Sequence, residues 1–324
     1  MSRLSKDAQG RARLRIGHLT TSYHTCFILM GGNWIEDQLG MHSEWRLFPT
    51  GPEMVRAFAA GDLDLGYIGL PPAMIGISRG LKAKCIAGGH VEGTVLTAKS
   101  QYRTFAELTD VKTTLSQFKG KAVGTPTRGS IHDVIIRHSI EQAGLQQEIE
   151  VKNYPWADFI IEAMEEGTIV GGCGTPPLAV LASKLLGAKI AIPPYTMWPN
   201  NPSYGILATA QMIEQRPDTL EEFLKLHEEA CNLTRNRPRE AARIASGATG
   251  IIDEDFIFEV YRVSPKYCAS LPPEYIQSTM SFTPVLRKMG YITNPLSMDE
   301  VFYTKLIEAI HPEKPHYGDP GALK

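Results

Sequence analysis

Two stretches of this chain follow one grammar. Residues 57–88 read "AFAAGDLDLGYIGLPPAMIGISRGLKAKCIAG", and residues 163–192 read "AMEEGTIVGGCGTPPLAVLASKLLGAKIAI". Each runs helix, glycine, buried strand, turn with two prolines, helix ending in glycine, strand. Paired prolines suit the first turn of a helix, where backbone N–H groups have no partner to lose. Glycine stops a helix by taking a left-handed conformation at no steric cost. Two matching α/β units in one chain constrain the fold to two similar lobes. This is an internal echo rather than a short-period solenoid repeat.

Strand and helix patterns alternate through the rest of the chain. Strands are expected at 13–19, 43–49, 63–70, 83–89, 93–99, 121–126, 148–155, 168–174 and 188–194, with a returning strand in "YGILATAQMI" (204–213). The intervening helices, among them 26–41, 51–61, 71–81, 131–145, 156–167 and 176–187, are about 10–15 residues long, the spacing of α/β architecture with a mostly parallel sheet. From about residue 205 amphipathic helices take over, as in "TLEEFLKLHEEACNLTRNRPREAARIASG". The expected division is one lobe from 13–98 plus 205–324 and a second from 99–204. The 324 residues suffice for two cores.

The composition is 43 % hydrophobic and 21 % charged with net charge −2, which provides no electrostatic case for nucleic acid or an anionic membrane surface. No apolar run is long enough to insert directly into a bilayer. The N-terminal "MSRLSKDAQGRARLRIGHL" is polar and basic and lacks the apolar segment of a secretory signal. The chain as written is therefore expected in the cytoplasm, or outside the membrane if a signal has been removed. Five widely spaced cysteines and no CxxC pair argue against a disulfide framework or a zinc site. The scattered histidines show no metal-ligand spacing, so neither a metal nor another cofactor is expected.

In open α/β sheets ligands sit beyond the carboxyl ends of strands. The loops placed there are "LTTSYHT" (19–25), "GLPP" (69–72), "GHVEG" (89–93), "TPTRGS" (125–130), "CGTPP" (173–177) and "PNNPSYG" (199–205). They are rich in hydroxyls, glycines and imidazoles and carry one arginine, a set able to hydrogen-bond a small polar or anionic molecule. The candidate ligand contacts are Thr21, Ser22, Tyr23, His24, Leu70, His90, Thr127, Arg128, Gly129, Ser130, Cys173, Thr175 and Tyr204. In "GTPTRGSIHD" (124–133) the N–H groups near Gly129 and Ser130 could hold an anion at a helix start, with Arg128 adding charge. The same turn also reads as a capping box, Ser130 capping and Asp133 three residues on. It is not a nucleotide-binding P-loop, whose lysine and spacing are absent.

Three motifs together, "AFAAGDLDLGYIGLPPAMI" (57–75), "GTPTRGSIHDVIIRHSIEQAGL" (124–145) and "EAMEEGTIVGGCGTPPLAVLASKLLGAK" (162–189), resemble the SsuA/NMT1/THI5-like solute-binding family. "RPDTLEEFLKLHEEA" (216–230) and "RPREAARIAS" (237–246) are similar to its helical tail. The resemblance runs from about residue 13 to 290. It implies a two-lobed type II periplasmic-binding-protein fold, a ligand clamped between lobes by hinge closure, and an ABC-type importer as partner. The implied ligands are sulfonates, carboxylates or pyrimidine-like molecules.

The same fold also implies enzyme alternatives. A desulfinase of this fold carries a nucleophilic cysteine in its first strand–helix turn, near where Cys26 stands, and His24 or His90 would be its base. A helix start would lower the Cys26 thiol pKa; the competing reading is a buried structural thiol. The family's pyrimidine synthases carry a cysteine cluster and a cofactor-binding lysine, and both are missing here. A binding protein is thus the leading expectation, with a Cys26 enzyme or a cytoplasmic sensor or carrier as the alternatives.

Overall fold

The computed structural model describes residues 10–323. Residues 1–9, on which the reading of the N-terminus partly rests, lie outside that range. Two five-stranded sheets organise the chain. The first contains β1 (Arg13–Leu19), β2 (His42–Phe48), β3 (Leu65–Ile68), β4 (Ala83–Val91) and a late strand; the second contains β5 (Val95–Ala98), β6 (Lys121–Pro126), β7 (Ile149–Tyr154), β8 (Gly171–Gly174) and β9 (Lys189–Ile192). The late strand, β10 (Pro202–Thr209), lies between β3 and β4.

The two sheets have the same plan. The first is ordered β2-β1-β3-β10-β4 and the second β7-β6-β8-β5-β9. In each, three parallel strands are followed by one antiparallel strand and an edge strand. The antiparallel member is in each case the strand by which the chain has just crossed over: β5 enters the second sheet and β10 returns to the first. The expected boundary after residue 98 therefore needs correction. Val95–Ala98 pairs with Gly171–Gly174 on one side and Lys189–Ile192 on the other, so the crossing precedes β5. A local pattern reports that a strand exists; which sheet it joins depends on pairings about a hundred residues away.

The crossings at 92–94 and 193–201 are bonded to each other. Glu92 N–H donates to the Asn201 carbonyl (2.8 Å), and Asn200 N–H donates to Glu92 Oε1 (2.9 Å). Lys266 Nζ neutralises the buried Glu92 carboxylate at 2.6 Å.

One expected helix divides. Residues 26–41 form Cys26–Gly31 and Trp34–Leu39, because Asn33 takes a left-handed conformation (φ 52°) after two glycines. The late helices cover the first sheet, and one of them, Glu254–Val263, reaches the second lobe, where Lys184 Nζ meets Glu259 Oε1 at 2.9 Å. No helix among the described residues is long and apolar enough to cross a membrane.

Candidate functional site

A cavity of about 580 Å³ lies between the two sheets. Its wall comes from the turns that follow all six parallel strands: 19–24 after β1, 49–51 after β2, Gly69 and Pro72 after β3, 126–132 after β6, 155–158 after β7 and 175–181 after β8. This is where α/β sheets place ligands, and here two sheets face one space.

Of the residues expected from the sequence, Thr21, Ser22, Tyr23, His24, Ser130 and Thr175 line this cavity. The rest do not. Leu70 is buried at the helix start behind Gly69. His90 belongs to β4 and donates from Nε2 to the Ser264 carbonyl (2.6 Å), so "GHVEG" is strand and crossing rather than cleft loop. Cys173 is fully buried, its sulfur 3.8 Å from the His132 carbonyl. Tyr204 is fully buried with its hydroxyl on Thr25, at 3.1 Å from Oγ1. Thr127 contributes its carbonyl to the turn, accepting from Ser130 N–H at 3.0 Å.

The "TPTRGS" turn is closed on itself. Gly129 N–H donates to Asp133 Oδ2 (3.0 Å), and Asp133 N–H donates back to Ser130 Oγ (3.3 Å). Ser130 N–H is taken by Thr127, so both N–H groups expected to hold an anion are already bonded. Asp133 is fully buried and also accepts from Arg137 Nε (2.7 Å), Asn153 Nδ2 (2.8 Å) and Tyr291 Oη (2.8 Å). Arg128 is exposed and turned away toward Tyr291, its Nε 3.3 Å from the phenol oxygen. The anion at this helix start is the protein's own carboxylate.

Cys26 sits at a helix start, yet burial pushes its thiol well above the usual range, outweighing the helix end. Its sulfur lies 3.9 Å from the His24 backbone carbonyl, not the ring, and burial keeps that ring neutral. No thiolate–imidazole pair forms there. Iodoacetamide at neutral pH is therefore expected to leave Cys26, Cys85, Cys173 and Cys231 unmodified in the folded protein; mass spectrometry reads this directly. Fast, ligand-blocked labelling of Cys26 would instead revive the enzyme reading.

The polar inventory of the cavity is specific. Thr21 Oγ1, Ser22 Oγ, His24 Nδ1 and Thr50 Oγ1 are buried and have no hydrogen-bond partner among the described residues. All four come from the first-lobe side. A buried polar group left unpaired costs about 1–3 kcal/mol, so four around one space mark where a ligand's polar atoms belong. His132, held at Nδ1 by Thr94 Oγ1 (2.9 Å), has its pKa lowered by burial to about 4. Among the described residues, the charged side chains of the lining are Asp158 and Asp253, both exposed acids, and no lysine or arginine lines it. Prolines at the starts of Leu70–Ser78 and Pro176–Leu186 remove N–H donors that would otherwise favour an anion.

Sequence reasoning passed over Thr50, His132, Ser203, Asp253 and Phe256. Ser203 stood inside a quoted loop, and its Oγ is 2.7 Å from Tyr23 Oη. Asp253 and Phe256 arrive from the late helix that leans on the second lobe, which no local signal announces. Of the aromatics, Trp156 lines the cavity, whereas Trp198 stacks on Phe282 at 4.0 Å.

Two sheets of one plan, double crossings and a cavity at the shared carboxyl ends define the two-lobed periplasmic-binding-protein class. The chain belongs to the NMT1-like family, which matches residues 7–248. Its fold is similar to the periplasmic aliphatic sulphonate binding protein SsuA from Escherichia coli (TM-score 0.76, 17 % identity, 90 % of this chain and 92 % of that one). It is also similar to the periplasmic nitrate-binding protein NrtA from Synechocystis PCC 6803 (TM-score 0.74, 14 % identity, 95 % and 90 %). A protein of Brucella abortus (strain 2308) named "putative binding protein" is 22 % identical over 240 residues, 72 % of this chain and 70 % of that protein.

Proposed function

We propose that this protein is an extracytoplasmic solute-binding protein that delivers a small molecule to an ABC-type importer. The two lobes close on the ligand about the crossings at 92–94 and 193–201. The family and the fold support the class, and similar structures described as periplasmic support the compartment. A cytoplasmic location finds no support among them.

The ligand is uncharged or cationic, with a flat or apolar part. The observation that carries this is the lining formed by the described residues: four polar atoms unpaired among them and two acids, without a basic side chain. Burying an anion there would leave its charge uncompensated. Trp156 and Phe256 offer apolar surface to a ring. A pyrimidine-like heterocycle fits this description; the sulfonates and carboxylates implied by the family resemblance would bring a charge that Arg128 and the Gly129–Ser130 N–H groups do not meet.

A thermal-shift screen of neutral and cationic heterocycles and amides against alkanesulfonates, carboxylates and nitrate tests the reading. Stabilisation is expected from neutral or cationic compounds and not from the anions; stabilisation by sulfonate or nitrate alone would overturn it. Ser22→Ala makes the test local. It removes an unpaired buried hydroxyl, so the ligand-free protein keeps or gains stability, while affinity for the hit falls about tenfold. Unchanged affinity in calorimetry would remove Ser22 from the site.

A further inference from the structure

Beside the β4 edge of the first sheet, remote in sequence from the cleft turns, the Sγ of Cys268, Nε2 of His311 and Nδ1 of His316 all lie within 4.8 Å of one another. We propose that these three residues, with Glu228, form a binding site for a zinc ion that fastens the C-terminal tail to the first lobe.

The separations match those of one shared metal. Cys268 Sγ is 3.3 Å from His311 Nε2 and 3.9 Å from His316 Nδ1, and the two nitrogens are 3.2 Å apart. Zinc bonds of about 2.3 Å to sulfur and 2.0–2.1 Å to nitrogen, arranged tetrahedrally, place ligand atoms about 3.3–3.6 Å apart. A thiolate with two imidazoles is a donor set zinc favours.

Glu228 supplies the fourth position. Its Oε2 accepts from Ala269 N–H (2.9 Å), which fixes the carboxylate, and its buried Oε1 has no hydrogen-bond partner among the described residues. That oxygen is 3.7 Å from His311 Nε2 and 3.9 Å from His316 Nδ1, so a small side-chain rotation brings it to the metal. Thiolate and carboxylate together balance the 2+ charge. Arg235 Nη2 now meets His316 Nδ1 at 3.0 Å and stands 3.8 Å from Glu228 Oε1. With zinc bound, that donor turns to the carboxylate, as an outer partner.

The surroundings have the form of a metal site's outer shell. Ligating histidines commonly present their second nitrogen to a carboxylate. His311 Nδ1 faces Glu313 Oε2 at 3.5 Å. The Cys268 sulfur also receives His316 N–H at 3.4 Å and lies 3.1 Å from Ser270 Oγ, donors suited to a thiolate. The ligands come from three separate segments: Glu228 from the helix Pro217–Asn236, Cys268 from the link at 264–272, and both histidines from "HPEKPH" (311–316). A metal joining them ties the tail to the lobe and leaves the cleft free.

The test uses the full chain after dialysis against EDTA. ZnCl2 is expected to bind one ion per chain and to raise the melting temperature by about 5 °C at a hundredfold excess over Kd. CoCl2 in its place is expected to produce thiolate-to-cobalt charge transfer and the intense visible bands of tetrahedral cobalt. Cys268→Ser abolishes the charge transfer, and Glu228→Gln weakens binding while keeping it. His316→Gln, at a side chain one-third exposed and so less exposed to folding failure, lowers affinity tenfold or more. No uptake by the native chain, cobalt bound without charge transfer, or an unchanged affinity in His316→Gln would overturn the proposal.

Discussion

Moving the protein from pH 7 to pH 5 should remove about 2 kcal/mol of folding stability for each of three buried histidines, His90, His132 and His227, with His24 acting in the same direction. Burial lowers the pKa of each, to about 3 for His90, about 4 for His132 and His227, and well below the usual range for His24. In the unfolded chain each titrates near its ordinary value of about 6.5. Between these limits the unfolded state holds more protons, so stability rises with pH. It is complete above about 6.5, falls as the pH drops toward 4 and levels off once the folded form also protonates. The three losses together are a large share of an ordinary domain's stability.

The geometry gives the reason protonation is costly. His227 Nε2–H donates to the Gly88 carbonyl (2.8 Å), leaving Nδ1 to accept from Thr25 Oγ1 (3.2 Å), which accepts from the Tyr204 hydroxyl (3.1 Å). A proton on Nδ1 reverses that chain inside a fully buried cluster of rings. Urea unfolding at the two pH values measures the loss, and His227→Gln should flatten the dependence. Equal midpoints at pH 7 and pH 5 would show that these histidines are not held neutral.

Asp133→Ala should cost about 3 kcal/mol, the low end for removing one partner of a buried ion pair, since Asp133 is fully buried but Arg137 only partly. Asp133 ties together the Gly129 turn, Arg137 of the following helix, Asn153 of β7 and Tyr291 of the late helices. Its loss strands four donors and frees the turn that presents Ser130 to the cavity, so ligand affinity should fall with stability. Asp133→Asn keeps one acceptor oxygen and should recover part of both. Guanidinium unfolding and calorimetry check the two effects; an Asp133→Ala protein as stable as the native one would refute this account.

Much of the fold was legible from composition and spacing. The strand "KAVGTP" is β6 residue for residue, and β1 matches equally well. Hydrophobic alternation and glycine or proline punctuation act over a few residues, and a linear reading detects them. Burial in the sheet then reinforces the same pattern. The turns after β1 and β6 were legible for the same reason: strand ends and helix starts are local events.

Directions and partners were not legible. "TPTRGS" has the composition of an anion site, yet Asp133 already occupies it and Arg128 leans on Tyr291. The sequence shows an arginine and an acid near one turn; which faces inward is set by Asn153 and Tyr291, 20 and 158 residues from Asp133. β5 looked like the last strand of the first lobe because sheet membership is a long-range pairing. Cys268 and the histidines at 311 and 316 had no motif spacing and met only through folding, 43 and 48 residues apart.

By itself the sequence determined two α/β lobes of one plan, with polar turns at matching strand ends, because periodicity and turn chemistry are local properties of a chain. Only the tertiary structure decided that no basic side chain among the described residues lines the cavity between them and that a thiol and two imidazoles meet beside the β4 edge. Those outcomes depend on which side chains distant segments bring within hydrogen-bonding distance, and no short stretch of sequence contains that information.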